Sequence, residues 1–447
     1  MMQRWHAWIA ATAAVAASVC CVMIAGCQRT QTGPLKITLQ RFFGACDAQY
    51  GNSTDVESAE GECGIITTLI NRFNARNPDI HVKVNIVYWP GYDQLSAELA
   101  AGDPPDLVTL HESVISDYSQ RKLIIPLDAA LRAAAIDPAG FTPAARAGVT
   151  RNGHIYALPF DNWAPLWHIN MNLFRQAGLV HDGAPVLPHS PEELLQQARQ
   201  FTRSTGKPYL IQSMVNEPYA YARNLFTFLM QQKSDFFSDP RHIRLQTPES
   251  RRVLQLFARI DAEGLTTRNQ DYTAATSAFL NGRGGVYLVG TWLIGTYDEA
   301  SRQADSPLAG GYTVVPYPQL FPDRDVTYAD GHSWVVPTAP RDAAKMAAIV
   351  RLLRFLRDND FEWSRTGHLP AYQEIIDSAR WRALPHRAEV AKLVTTGAPL
   401  PPGVQRQFLI QQMISQEMES AITGQKPIDT ALEDAERRVN DVLFNLL

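Results

Sequence analysis

Two kinds of side chain in this 447-residue chain could together hold a polyhydroxylated ring. Flat aromatic faces cover the C–H side of a sugar, and planar polar groups hydrogen-bond its hydroxyls. Seven tryptophans follow residue 27: Trp89, Trp163, Trp167, Trp292, Trp334, Trp363 and Trp381. Trp292 stands at a strand-to-helix turn behind a glycine-rich strand (Gly284, Gly285, Gly290), and Trp334 follows Gly331, His332 and Ser333. His111 and Glu112 come directly after an apolar strand at residues 106–110. Open α/β sheets bind ligands beyond the C-terminal ends of their strands, which makes both residues candidates for ligand contact.

The competing chemistry is hydrolysis of carbohydrate, which needs two opposed carboxylates at a defined separation. Among 45 Asp and Glu residues such a pair is available, but no Gly-x-Ser-x-Gly elbow and no His-Glu-x-x-His helix occur. No P-loop occurs either, so the chain is not the ATPase of a transporter. No cofactor and no metal are expected. The chain is 45% hydrophobic and 19% charged, as a folded protein should be. A net charge of −4 supplies no basic face for nucleic acid.

The elements that must position these groups are legible from periodicity. Residues 35–39 alternate apolar and polar, and residues 80–86 do so strictly, so both read as strands. Ile65, Ile66, Leu69, Ile70 and Phe73 share one helix face, ended by Asn77-Pro78. Residues 92–101 read as a helix closed by Gly102, and the strand at 106–110 leads into a helix at 114–120. Strand–helix–strand–helix–strand argues for an α/β fold with parallel strands. Later the chain is mainly helical. Ser190, Pro191 and Glu193 form a helix start with a capping box. Helices are expected at 219–233, 249–262, 273–281, 342–358 and 406–423, and strands at 285–289, 312–315 and 333–336. Arg351, Arg354 and Arg357 recur at helical spacing and read as a solvated face.

The N-terminus reads as an address. Residues 1–26 carry Arg4 as their one charged side chain before a small, apolar run, the pattern of a secretory signal peptide. Ile24-Ala25-Gly26-Cys27 resembles a bacterial lipobox, which implies cleavage before Cys27, lipidation of its thiol and a tether at 27–34. Cys20 and Cys21 would be lost with the signal. The remaining pair, Cys46 and Cys63, reads as a disulfide in an exported protein.

Six stretches in order resemble the extracellular solute-binding proteins (family 1, maltose/trehalose-binding-like) of bacterial sugar ABC transporters. They are AAGDPPDLV at 100–108, RKLIIPLD at 121–128, GHIYALPF at 153–160 leading into WHINMNLFRQAGL at 167–179, FLNGRGGVYLVGTW at 279–292, GHSWVV at 331–336 and TGHLP at 366–370. The resemblance implies a two-lobed periplasmic-binding-protein fold, each lobe a mixed sheet flanked by helices, closing on a sugar at a hinge. Lobe 1 would comprise 35–162 plus 317–358, and lobe 2 163–316 plus 359–447. It also implies that Trp292 stacks on a ring and that Asp161, Asn162 and Trp163 lie at the first crossing, where both lobes reach ligand. Relatives use the loop of Phe43 and Asp47 for ligand, often carry Asp at the position of His111, and often carry Arg at that of His368. Implied partners are a sugar, the permease subunits of an importer, and the membrane through the lipid on Cys27, with the protein monomeric, in the periplasm or at the cell surface. The number of tryptophans near the expected cleft favours a disaccharide such as maltose or trehalose.

Overall fold

The computed structural model describes residues 33–445, apart from Asn216 and Pro218; the expected signal segment and Cys27 lie outside the described residues. Ten strands build two sheets: β1 Leu35–Arg41, β2 Ile80–Ile86, β3 Leu107–His111, β4 Leu158–Trp163, β5 Pro165–Asn170, β6 Leu210–Ile211, β7 Val286–Gly290, β8 Tyr312–Pro316, β9 Asp330–Val335 and β10 Leu369–Pro370. The first sheet runs β10-β4-β9-β3-β1-β2, and the second β6-β7-β5-β8.

In the first sheet β1 pairs parallel with β2 and β3, as the strand–helix alternation requires. β9 then runs antiparallel to both β3 and β4, so the sheet is mixed. The apolar stripe foreseen on Gly61–Arg76 is buried: Ile65, Ile66, Leu69 and Phe73 pack with Ile37 and Leu39 of β1 and with Leu352 and Leu356 of the helix Ala343–Asp358. The helix Tyr92–Ala101 ends at Gly102, whose φ of 74° lies where a side chain would be strained.

The second sheet carries its own core. Helix Pro191–Thr205 starts as its sequence indicates, with the Ser190 side chain accepting from the Glu193 amide, while the Glu193 carboxylate accepts from His189 N–H. Its Leu194, Leu195, Ala198 and Phe201 join Trp167, Phe174, Leu225 and Phe226. The helices Gln407–Ile422 and Ile428–Phe444 close this core from outside, the latter not foreseen in the sequence.

The chain passes from the first sheet to the second between Trp163 and Pro165. The return falls later than the resemblance implied. Tyr317, Leu320, Phe321 and Tyr328 still pack in the second core, and the chain rejoins the first sheet with β9. The segment after Asp358 also differs, because Trp363 and Tyr372 belong to the first core and β10 edges the first sheet. Both shifts have one cause: aromatic side chains at 317–328 and 363–372 pack by burial, which motif spacing does not reveal.

Cys46 and Cys63 are joined in a disulfide that ties the loop after β1 to the start of the helix Gly61–Arg76. Among the described residues no helix is long and apolar enough to cross a membrane.

Candidate functional site

A cleft of about 1210 Å³ opens between the two sheets. Its lobe-1 wall is made by Phe42, Phe43, Glu62, Trp89 and His111, and its opposite wall by Glu217, Arg223, Tyr272 and Trp292; Trp163 and His332 lie at the strand ends between them. These positions follow from register. His332 of β9 pairs with His111 at the C-terminal end of β3, so both imidazoles reach the same rim of the sheet.

Trp292 lines the cleft. It is half-buried on the wall, donates from Nε1 to Tyr272 Oη at 3.0 Å, and meets Trp163 edge-on at 5.6 Å. Gly290 makes room for it, since a Cβ there would lie 1.9 Å from the Trp292 ring. Trp163 is buried, with its face toward the Arg223 guanidinium at 4.7 Å. His111 stacks on Phe42 and bonds the Tyr92 hydroxyl; burial holds its imidazole well below the ordinary range, so it is neutral. Phe43 packs edge-on to His332 and Trp363.

Six other sequence candidates do not line the cleft. Trp334 is fully buried against Phe160, because it pairs with Thr109, two residues deeper in the sheet than the His332–His111 rim. Asp161 is fully buried beneath the cleft, where its carboxylate accepts from His332 N–H, His332 Nδ1 at 2.9 Å and Trp363 Nε1 at 2.7 Å. Burial raises Asp161, but the His332 and His368 imidazoles and these bonds outweigh it and hold the carboxyl below its usual range. Asn162 and Glu112 line a separate small cavity beside Asp330. Burial, then Asp330 and Asp161, push the Glu112 carboxyl well up. Asp47 is exposed on a short helix beside the disulfide and does not line the cleft. His368 is buried between Trp363 and the floor of the cleft.

Arg223, Tyr272, Glu217, Glu62 and His332 also line the cleft, though no sequence motif marks them for it, and Trp89 does so without a motif to set it apart from the other tryptophans. Arg223 shows why: it sits inside an amphipathic helix, Ala220–Gln231, among residues that otherwise read as core. Its Nε donates to Gln411 Oε1 at 3.1 Å, and among the described residues Nη2 has no partner. A buried guanidinium with a free N–H group beside a cleft is a donor awaiting an acceptor. Burial pushes Glu62 up to about 7, although 27% of its side chain still faces the cleft. Arg351, Arg354 and Arg357 pair on the surface with Asp79, Asp358 and Glu374, as a solvated face should.

Two sheets with separate cores, linked by a chain that crosses repeatedly and flanking an aromatic cleft, define a two-lobed solute-binding fold. Comparison with known proteins agrees. The family model of bacterial extracellular solute-binding proteins matches residues 64–357, and the chain belongs to that family. The sn-glycerol-3-phosphate-binding periplasmic protein of Escherichia coli K12 is 23% identical over 406 residues, covering 86% of this chain and 91% of the relative. Its Salmonella typhimurium counterpart is 24% identical over 413 residues, with the same coverage. Maltose-bound MalE3 of T. maritima superposes with a TM-score of 0.76 at 18% identity, covering 92% of this chain and all of that one. The cyclic alpha-maltosyl-1,6-maltose binding protein of Arthrobacter globiformis gives 0.67 at 21% identity, with the same coverage.

Proposed function

We propose that this protein binds a sugar in the inter-lobe cleft and hands it unchanged to an ABC importer. The observation that carries this reading is the lining of the cleft: Trp89, Trp163, Tyr272 and Trp292 offer aromatic faces, and His111, His332, Arg223 and Glu62 offer hydrogen bonds. This combination suits a pyranose, which has an apolar face and a rim of hydroxyls. The volume accommodates a disaccharide, and the ligands of the structural neighbours, maltose and a cyclic maltosyl-maltose, point the same way. Of the sequence candidates, Trp292, Trp163, His111 and Phe43 are assigned to ligand contact.

Arg223 favours a second reading. Its unpartnered Nη2 beside the cleft would suit an anionic group, and the curated relatives bind sn-glycerol 3-phosphate. In both readings binding proceeds without catalysis, the protein acts as a monomer with the permease as partner, and a lipid on Cys27 holds it to the membrane outside the cytoplasm.

The test is a thermal scan of the chain from residue 27 against maltose, trehalose, monosaccharides and sn-glycerol 3-phosphate. A ligand at 100 times its Kd should add about 2.7 kcal/mol of stability. A shift with a sugar supports the first reading, and one confined to the phosphate supports the second. No shift with any of them contradicts both.

A further inference from the structure

Beneath the cleft, three residues from the three segments that approach the crossings come together: Asp161 on β4, His332 on β9 and His368 just before β10. His332 pairs directly with Asp161, and Pro370 pairs with Asp161 from the other side. One donor atom of each lies within 4.8 Å of the others, and all three residues are buried. Glu62 reaches in from the cleft wall, with its Oε1 3.6 Å from His368 Nε2.

The hydrogen-bond pattern fixes what His368 presents. The single hydroxyl hydrogen of Thr366 is donated to the Trp363 carbonyl at 2.8 Å. Thr366 Oγ1 must therefore accept at its 2.7 Å contact with His368 Nδ1, which places the imidazole hydrogen on Nδ1. In the neutral ring Nε2 then carries the lone pair. Among the described residues it has no hydrogen-bond partner, and it faces two acceptors, Glu62 Oε1 at 3.6 Å and Asp161 Oδ2 at 3.8 Å. The Asp161 and Glu62 carboxylates and the His332 and His368 imidazoles thus converge on one point, with His332 Nδ1 shared with Asp161 and His368 Nε2 unpartnered among the described residues, a donor set that a cation would complete.

We propose that Asp161, His332, His368 and Glu62 form a binding site for a divalent transition metal, zinc above all, at the junction of the lobes. Two imidazoles and two carboxylates match the borderline ligand preference of zinc, which favours four-coordinate sites. The Nδ1–H bond to Thr366 is the outer-shell bond that orients a ligating histidine. Binding displaces the proton that His332 Nδ1 shares with Asp161, so zinc uptake releases protons. His332 and Glu62 border the cleft and give the ion a route in. Zinc binding is read with the cleft empty of solute, so its outcome is separate from that of the proposed function.

The experiment is calorimetric titration of zinc chloride into the metal-stripped chain from residue 27, with cobalt(II) as spectroscopic stand-in. One equivalent of zinc should bind and raise Tm, and cobalt should show the strong visible bands of a four-coordinate ion. His368→Gln and Glu62→Gln should each weaken zinc at least tenfold. No zinc binding by the unmodified chain overturns the proposal, as does binding that both variants leave unchanged, which would place zinc elsewhere. Should His368→Gln fail to fold, Glu62→Gln on the open cleft wall decides alone, and unchanged zinc affinity in it refutes the site.

Discussion

Replacing Trp292 by alanine separates ligand contact from folding. The side chain is half-buried and leans on Gly290, Tyr272 and Trp163 with one face toward the cleft. An aromatic side chain buries at least about 150 Å², and one face accounts for roughly 75 Å² of that. At about 25 cal/mol per Å² the lost contact is worth about 2 kcal/mol, or about 20-fold in Kd. The Tyr272 hydroxyl also loses its donor, but its place beside an open cleft lets water replace it. The assay is isothermal titration of the stabilising sugar into both proteins, with unliganded Tm measured alongside. A folded Trp292→Ala protein whose Kd lies within twofold of the original would refute the assignment of Trp292 to the ligand.

Four further outcomes are expected. Trp334→Ala should cost about 3–5 kcal/mol of stability, read by denaturant unfolding, while Kd in the surviving folded fraction stays unchanged, because Trp334 is core and not cleft. Gly290→Ala should weaken ligand binding severalfold by displacing the Trp292 ring, seen as a change in Kd with a smaller change in Tm. Replacing Cys46 and Cys63 together by serine should lower stability by about 3 kcal/mol in chemical denaturation, from the loop of 17 residues they close. Burial raises the Asp106 carboxyl, but the Thr38 amide with Lys345 and Arg341 outweigh it and hold it below the ordinary range. A depressed folded pKa stabilises above the unfolded value and is lost as pH falls through the folded one. Stability should therefore drop in acid, and Asp106→Asn should flatten that part of the pH profile.

Much of the first lobe was legible because its elements are local. The alternation at 80–86 and the stripe from Ile65 to Phe73 each report a burial pattern that one strand or helix satisfies alone. Trp292 was legible because a glycine-rich strand, a turn and a tryptophan are contiguous. What escaped depends on register between distant strands. Nothing local distinguishes His332, which reaches the rim, from Trp334, which lies two residues deeper, until β9 is set against β3. Asp161 illustrates the same limit: its carboxylate is consumed by His332 and Trp363, contacts that span 171 and 202 residues. Arg223 was hidden by its helix, where neither its period nor its neighbours mark one arginine as facing a cleft.

The function proposed for the cleft is to bind a sugar without transforming it. Its most direct test is titration of the chain from residue 27 with the sugar that raises its Tm, followed by release and chromatography of the bound fraction. One equivalent of sugar should be recovered intact, with binding weakened about 20-fold by Trp292→Ala. Recovery of a cleaved product, or saturable sugar binding that Trp292→Ala and Trp163→Ala both leave untouched, would contradict it.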